Sequence, residues 1–436
     1  MTNVALTGLA RDLARRADEG RPVRIGVIGS GEMGTDLVTQ CMLMKGVAVS
    51  AIATRRPHTA RQAIEIAYGD DCHAREADTQ SKVTAAIEAG NIAITSVETM
   101  VTSPLIDVII DATGKPGVAA DYDLMAMQHG KHLVMMNVEA DVTIGPWLKN
   151  EAAKLGVVYS LGAGDEPSSC MELIEFASAL GYTVVSAGKG KNNPLNHDAI
   201  PDDYREEATR RNMNPRMLVE FVDGSKTMVE MCAIANATGL VPDRPGMHGP
   251  NADRDALAKV LIPREHGGVL SKKGVVDFTV GKGVAPGVFV IVEATHPRIV
   301  ERMDDLHVGT GPYYGFFRPY HLTSLEVPLT CARAVLYGKA DMVPLDTPVA
   351  EVCAVAKRDL APGEPLDSIG EYMYRSWIMT VGDARAAGAI PCGLLEGGKV
   401  TAPVKKGDLL TRGNAVPDTT SRLYELRRLQ DAMVFG

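Results

Sequence analysis

A doubly wound parallel α/β sheet is the fold class the sequence predicts, followed by an α+β unit and a small β-rich C-terminal unit. Three observations predict it. Short apolar, β-branched runs alternate with helical patterns from residue 23 to residue 164, the order that builds a parallel sheet with helices on its faces. The first run climbs into glycines spaced G-x-G-x-x-G at Gly29, Gly31 and Gly34. Beyond residue 339, turns such as Ala361-Pro362-Gly363 and Lys406-Gly407-Asp408 punctuate short Val/Leu runs, as in a small β unit.

Residues 1–20 alternate Leu, Ala and Arg like an amphipathic helix. They carry Asp12, Asp18 and Glu19 and no continuous apolar core, so they are not expected to be a signal or transit peptide. The run 23–28 then leads to Gly29-Ser30-Gly31-Glu32-Met33-Gly34, and residues 35–40 continue at helical spacing. Strand, tight turn and helix in that order suit a dinucleotide. The first glycine allows the turn, the second lets backbone approach a pyrophosphate, and the third lets helix and strand pack closely. The N–H groups of the new helix then face the phosphates.

Residues 47–54 read as the second strand, and its end bears on the cofactor. An acid there would bond a ribose 2′-hydroxyl, whereas arginine suits a 2′-phosphate. Thr54-Arg55-Arg56 stands at this place, and NADPH is the expectation. The strand run 106–114 ends in Ala112-Thr113-Gly114, a small-residue turn of the kind that lines the nicotinamide side. The run 132–136 is the next strand, ending at Asn137-Val138-Glu139, and 157–164 closes the series. Asn137, Glu139, Asp165 and Glu166 are expected along the carboxyl edge of the sheet, where ligands bind.

A helix over 168–180 leads into the run 182–194, where Lys189 and Lys191 are two apart and flanked by glycines. On a strand both would project to one face, and they are expected to clamp an anionic substrate group, with Asn193 close by. Residues 228–235 read as a buried helix whose methionines fill the core. Asp255 and Lys259 are four apart and are expected to share one helix face. Residues 274–295 look like two strands. The aromatic stretch 312–321 carries Arg318 and His321; a substrate wall and an interface strand suit it equally, and Arg318 would need an anionic partner if buried. A final helix follows Asp418-Thr419-Thr420-Ser421, with Leu423, Leu426, Leu429 and Met433 on one stripe.

A length of 436 residues suits three domains, expected at 1–160 (dinucleotide binding), 161–335 (substrate and dimerisation) and 336–436 (β-rich). The net charge of -9 argues against nucleic acid or an anionic membrane as partner. No apolar run approaches the roughly 18–20 residues of a membrane span. Seven scattered cysteines without a C-x-x-C spacing fit a reducing cytoplasm and disfavour zinc.

The Gly29–Gly34 fingerprint, the G-x-x-P-D at residues 239–243 and the Asp255…Lys259 pair resemble homoserine dehydrogenases. The turns "DLAPGEPL" and "VKKGDLL" resemble a SAF domain. With "GKGKNNP" and "FFRPYHLTSLE", the combination resembles the second type of 1-deoxy-D-xylulose 5-phosphate reductoisomerase. That resemblance implies NADPH, a divalent cation (Mg²⁺ or Mn²⁺), a small phosphorylated sugar as substrate, and reduction after skeletal rearrangement in isoprenoid biosynthesis. It implies catalytic roles for Lys191, Asp255 and Lys259. Asn137, Glu139, Lys189, Asn193, Arg318 and His321 would then bind substrate, and Glu139, Asp165 and Glu166 would bind metal, in a cytoplasmic homodimer or larger homo-oligomer. Two other readings stand beside it. One is an NADP-dependent dehydrogenase of a small hydroxy acid or sugar acid. The other is a nucleotide-binding sensor.

Overall fold

The computed structural model describes residues 5–211 and 213–436. The N-terminal helix is Gly8–Asp18; residues 1–4 of the expected segment lie outside the described residues. The chain forms two compact units rather than three consecutive domains. One comprises Met1–Asp141, Trp147–Asp165 and Leu322–Val343; the other comprises Val142–Pro146, Glu166–His321 and Pro344–Gly436.

The first unit is built on a seven-stranded sheet. Its strands are β1 Val23–Ile28, β2 Val47–Ala53, β3 Ala74–Glu76, β4 Ile92–Thr95, β5 Val108–Asp111, β6 His132–Met135 and β7 Tyr159–Leu161, in the order β3-β4-β2-β1-β5-β6-β7. Every pairing is parallel, and the order reverses direction on either side of β1, as in doubly wound folds. Val23, Ile25 and Val27 of β1 are fully buried with Val108, Ile110 and Val134 from the strands beside them. Val327, Cys331 and Ala332 join the same core from the helix Val327–Tyr337. That packing explains why residues 322–343 belong to this unit and not to the expected 161–335 domain.

The second unit centres on a five-stranded sheet of β8 Thr183–Gly190, β9 Val241–Pro242, β10 Val275–Thr279, β11 Val288–Glu293 and β12 Tyr313–Arg318, in the order β12-β11-β8-β10-β9. Two helices, Glu166–Ala179 and Ser225–Thr238, pack against this sheet and against each other. Side chains alternate along a strand. Ser186, whose hydroxyl bonds Leu261 O at 2.8 Å, and Lys189 therefore lie on opposite faces of β8. The aromatic stretch supplies β12, an edge strand.

The C-terminal β elements belong to this second unit: β13 Ala350–Ala356 pairs with β14 Tyr374–Thr380, and β15 Lys399–Val400 with β16 Ala415–Val416. Ser421 caps the last helix, Arg422–Phe435, by accepting the Tyr424 N–H. The expected stripe on this helix is only half right. Leu423 and Leu426 are buried, but Leu429 is 47% and Met433 41% exposed. The buried place that stripe would have filled is shared with Arg427, which pairs with Glu351.

Candidate active site

In the first unit the glycine turn has the geometry its spacing predicts. Gly29 has φ +110°, and a Cβ there would stand 2.7 Å from the Ala112 carbonyl oxygen; a Cβ on Gly34 would stand 2.6 Å from the Gly29 oxygen. Only glycine fits either place. At Gly31 a Cβ would meet nothing, so the open side of the turn lies at the start of the helix Glu32–Leu43, which includes Met33. Ser30 is held by Thr54 (3.1 Å) and Thr59 (2.5 Å). Thr54 Oγ1 also accepts the Arg56 N–H at 3.1 Å, and Arg55 and Arg56 are exposed just beyond β2. Thr113 N donates to Asp111 Oδ1 at 2.9 Å, and Gly114 has φ +62°. Asn137 caps the helix Val138–Leu155 by accepting the Ala140 N–H and donates to Thr113 Oγ1 at 3.3 Å. Glu139, half-buried, lies in the first turn of that helix.

Behind this edge lies a buried polar group that the sequence did not announce. Burial pushes Asp111 up to about 6 although the Thr113 N–H opposes it, and pushes Asp123 well above the carboxylate range, with Asp111 adding to the effect. Asp111 Oδ2 and both carboxylate oxygens of Asp123 have no hydrogen-bond partner among the described residues. Tyr159 donates to Asp141 at 2.6 Å.

In the second unit the lysine pair divides into two roles. Lys189 is buried, and its Nζ bonds Glu166 Oε1 at 2.5 Å and also Glu230 Oε2. Burial opposes its charge, but the two carboxylates more than compensate and hold its proton affinity above the usual lysine range. Burial, followed by the charge of Glu166, raises Glu230, because one ammonium cannot neutralise both carboxylates. Lys191, also buried, donates instead to the Phe221 carbonyl in the last turn of the helix Pro215–Val222. Burial, then the Lys189 charge, lowers its ammonium to about 8. His321 Nε2 stands 3.5 Å from Glu166 Oε1; His321 Nδ1 and Glu230 Oε1 are buried without a hydrogen-bond partner among the described residues.

Several expectations change here. Lys189 is already paired with carboxylates and is not available to an anion. The glycine after it makes close approach to its own chain, since a Cβ on Gly190 would lie 1.9 Å from Val284 O. Asp255 and Lys259 are exposed, and they sit in different local structures, the 3₁₀ turn Arg254–Ala256 and the four-residue helix Leu257–Val260. Arg318 has its anionic partner inside the unit: Nη1 bonds Glu172 at 3.0 Å and Ser169 at 2.9 Å. Asn193 bonds its neighbour Asn192 at 3.4 Å. Glu166, named as a metal ligand, holds an ammonium, and Asp165 directly precedes it. Glu139 belongs to the other unit. The comparisons do not support the divalent cation, although ligand atoms of Asp165, Glu166 and His321 lie within 4.8 Å of one another. Glu230 was missed, although a single charged residue inside the apolar run 228–235 was its signal, since a buried charge needs a partner.

Residues 164–327 match the family model described as "Oxidoreductase DRL, catalytic domain". The match covers less than half of the chain but includes Glu166, Lys189, Lys191, Glu230, Arg318 and His321. No curated protein matches the chain. Among solved structures, a probable dehydrogenase from Thermotoga maritima is 14% identical with a TM-score of 0.42, covering 73% of this chain and 90% of that one. A myo-inositol dehydrogenase from Corynebacterium glutamicum is 13% identical with a TM-score of 0.41, covering 73% and 89%. KijD10, a 3-ketoreductase from Actinomadura kijaniata, is 14% identical with a TM-score of 0.38, covering 73% and 91%. At these identities and TM-scores nothing about substrate follows.

The oxidoreductase DRL match, together with the glycine turn, supports an NAD(P)-dependent oxidoreductase. It also overturns the resemblance to the second type of deoxyxylulose-phosphate reductoisomerase and to homoserine dehydrogenases. The Asp255…Lys259 pair that carried part of that resemblance is exposed, and the isoprenoid pathway and the SAF assignment find no support. Among the described residues no helix is long and apolar enough to cross a membrane.

Proposed function

We propose that the protein is an NADP-dependent dehydrogenase of a small hydroxy acid or sugar acid, with Lys191 giving and taking the proton. One observation carries this reading. Within the segment that matches an oxidoreductase catalytic domain, Lys191 is buried with its ammonium on a neutral backbone carbonyl, two residues from a lysine locked between two carboxylates, and burial lowers its proton affinity to about 8. A general acid or base works best when its proton affinity lies near the operating pH. The bound nicotinamide supplies or accepts the hydride at the carbon. In the reductive direction Lys191 gives its ammonium proton to the carbonyl oxygen, and the resulting amine regains a proton from solvent. In oxidation the same amine takes the hydroxyl proton. Arg55 and Arg56, beyond β2 where an NAD-type site would place an acid, support NADP over NAD.

The test is NADPH and NADH oxidation by purified protein against a panel of small 2-oxo acids and oxidised sugar acids. Turnover with at least one member, faster with NADPH, is the expected result. Tight NADPH binding with no turnover on any member would favour a nucleotide-binding sensor.

A further inference from the structure

We infer that Lys189 is a positioning residue: clamped between Glu166 and Glu230, it holds a fixed positive charge beside Lys191 and so keeps the Lys191 amine ready to release a proton. The inference rests on the reading of Lys191 given above and adds two residues, Lys189 and Glu230, that act through it. Three elements meet to build the clamp. β8 carries Lys189 near its end, the helix Glu166–Ala179 begins with Glu166, and the helix Ser225–Thr238 carries Glu230 at its buried middle. The side chains of Lys189 and Glu230 are 7% and 1% exposed, so neither ion has water to replace its partner.

Such a cluster is costly to bury and is an inefficient way to gain stability. Its chemical effect is more specific. A like charge nearby disfavours the charged form of an amine, whereas a carboxylate favours it. Lys191 lies two residues beyond Lys189, and its own hydrogen bond goes to a neutral carbonyl, so the carboxylates of Asp223 and Glu230 oppose the Lys189 charge without bonding the amine themselves. The other charged groups are accounted for. Glu166 and Glu230 face Lys189, and His321 faces Glu166. Lys226 acts on Glu230. Asp223, which acts on Lys191 from the turn before the second helix, is 2.7 Å from the Lys357 ammonium.

The experiment is an NMR pH titration of the full-length protein carrying isotope-labelled lysine Cε, with the Lys191 signal assigned by its loss in Lys191→Arg. It needs no substrate. The wild-type Lys191 midpoint is expected at about 8. Lys189→Met removes the repelling charge and leaves the carboxylates, so the midpoint should rise by about one pH unit or more. Glu230→Gln removes an attracting charge while Glu166 still holds Lys189, so the midpoint should fall. Shifts of opposite sign support the inference. An unmoved midpoint in Lys189→Met, or two shifts in one direction, overturns it. If Lys189→Met does not fold, Glu230→Gln decides: a fall supports the inference, and no change or a rise overturns it. If the shifts appear but Lys191→Met keeps full turnover, the electrostatic relationship stands and the proton-transfer role of Lys191 fails.

Discussion

Lys189 and Glu230, forty-one positions apart in the chain, meet in a buried ion pair that Glu166 completes from a second helix. The arrangement joins the sheet of the second unit to both helices packed on it. It also separates two lysines that stand two apart in sequence into a fixed charge and a titrating amine.

Breaking this cluster on one side should be far worse than removing it. Lys189→Ala leaves two buried carboxylates without a counter-charge and should destabilise the fold by about 3–5 kcal/mol. The triple variant Glu166→Gln, Lys189→Met, Glu230→Gln should recover most of that loss. Urea unfolding of both variants checks this; equal stability of the two would mean that the cluster is better solvated than its burial implies.

Stability should depend on pH through Asp111. Its folded-state value of about 6 lies above the ordinary 3.8, so the folded protein binds this proton more tightly. The contribution is fully present below pH 3.8 and is lost as pH rises through about 6. Asp111→Asn should remove that loss. Above pH 6 the variant should match or exceed wild type in unfolding free energy, by up to about 3 kcal/mol. A variant clearly less stable than wild type above pH 6 would contradict the sign.

Cofactor binding should fail when the turn is filled. A Cβ on Gly34 would stand 2.6 Å from backbone, so Gly34→Ala must distort the strand–helix junction and should weaken NADPH by roughly tenfold or more. Replacing Arg55 and Arg56 with alanine should cost NADPH roughly ten- to a hundredfold in affinity, from charge-assisted bonds of about 1.5–3 kcal/mol, and leave NADH nearly unchanged. Fluorescence titration with both nucleotides reads these outcomes. An unaltered NADPH/NADH ratio in the double mutant would remove the arginines from cofactor choice.

What was legible in the sequence was local. β1, its glycine turn and the following helix form one continuous stretch, so spacing alone gives them. β2, β5, β6 and β7 followed from apolar runs of the right length. β3 and β4 did not: Ala74–Glu76 carries two exposed charged side chains in three residues, and Ile92–Thr95 is an isolated short run bounded by Asn91 and Ser96. The site failed where contacts are distant. Glu166 and Glu230 reach Lys189 across 23 and 41 positions, and no local pattern marks either as its partner. Arg318 was correctly seen to need an anion, but Glu172, 146 positions away, already supplies it. The helix Val327–Tyr337 shows the same limit, since its apolar face does not say which of two cores it will join.

The central claim is that Lys191 exchanges the proton in an NADP-dependent oxidation or reduction. The measurement that tests it most directly is steady-state NADPH oxidation by Lys191→Met, on whichever oxo acid or sugar acid the wild type accepts, with NADPH affinity titrated in parallel. Losing a general acid should lower kcat by about a hundredfold or more, with NADPH affinity within about twofold of wild type. A Lys191→Met enzyme that keeps kcat within about twofold of wild type would contradict the account.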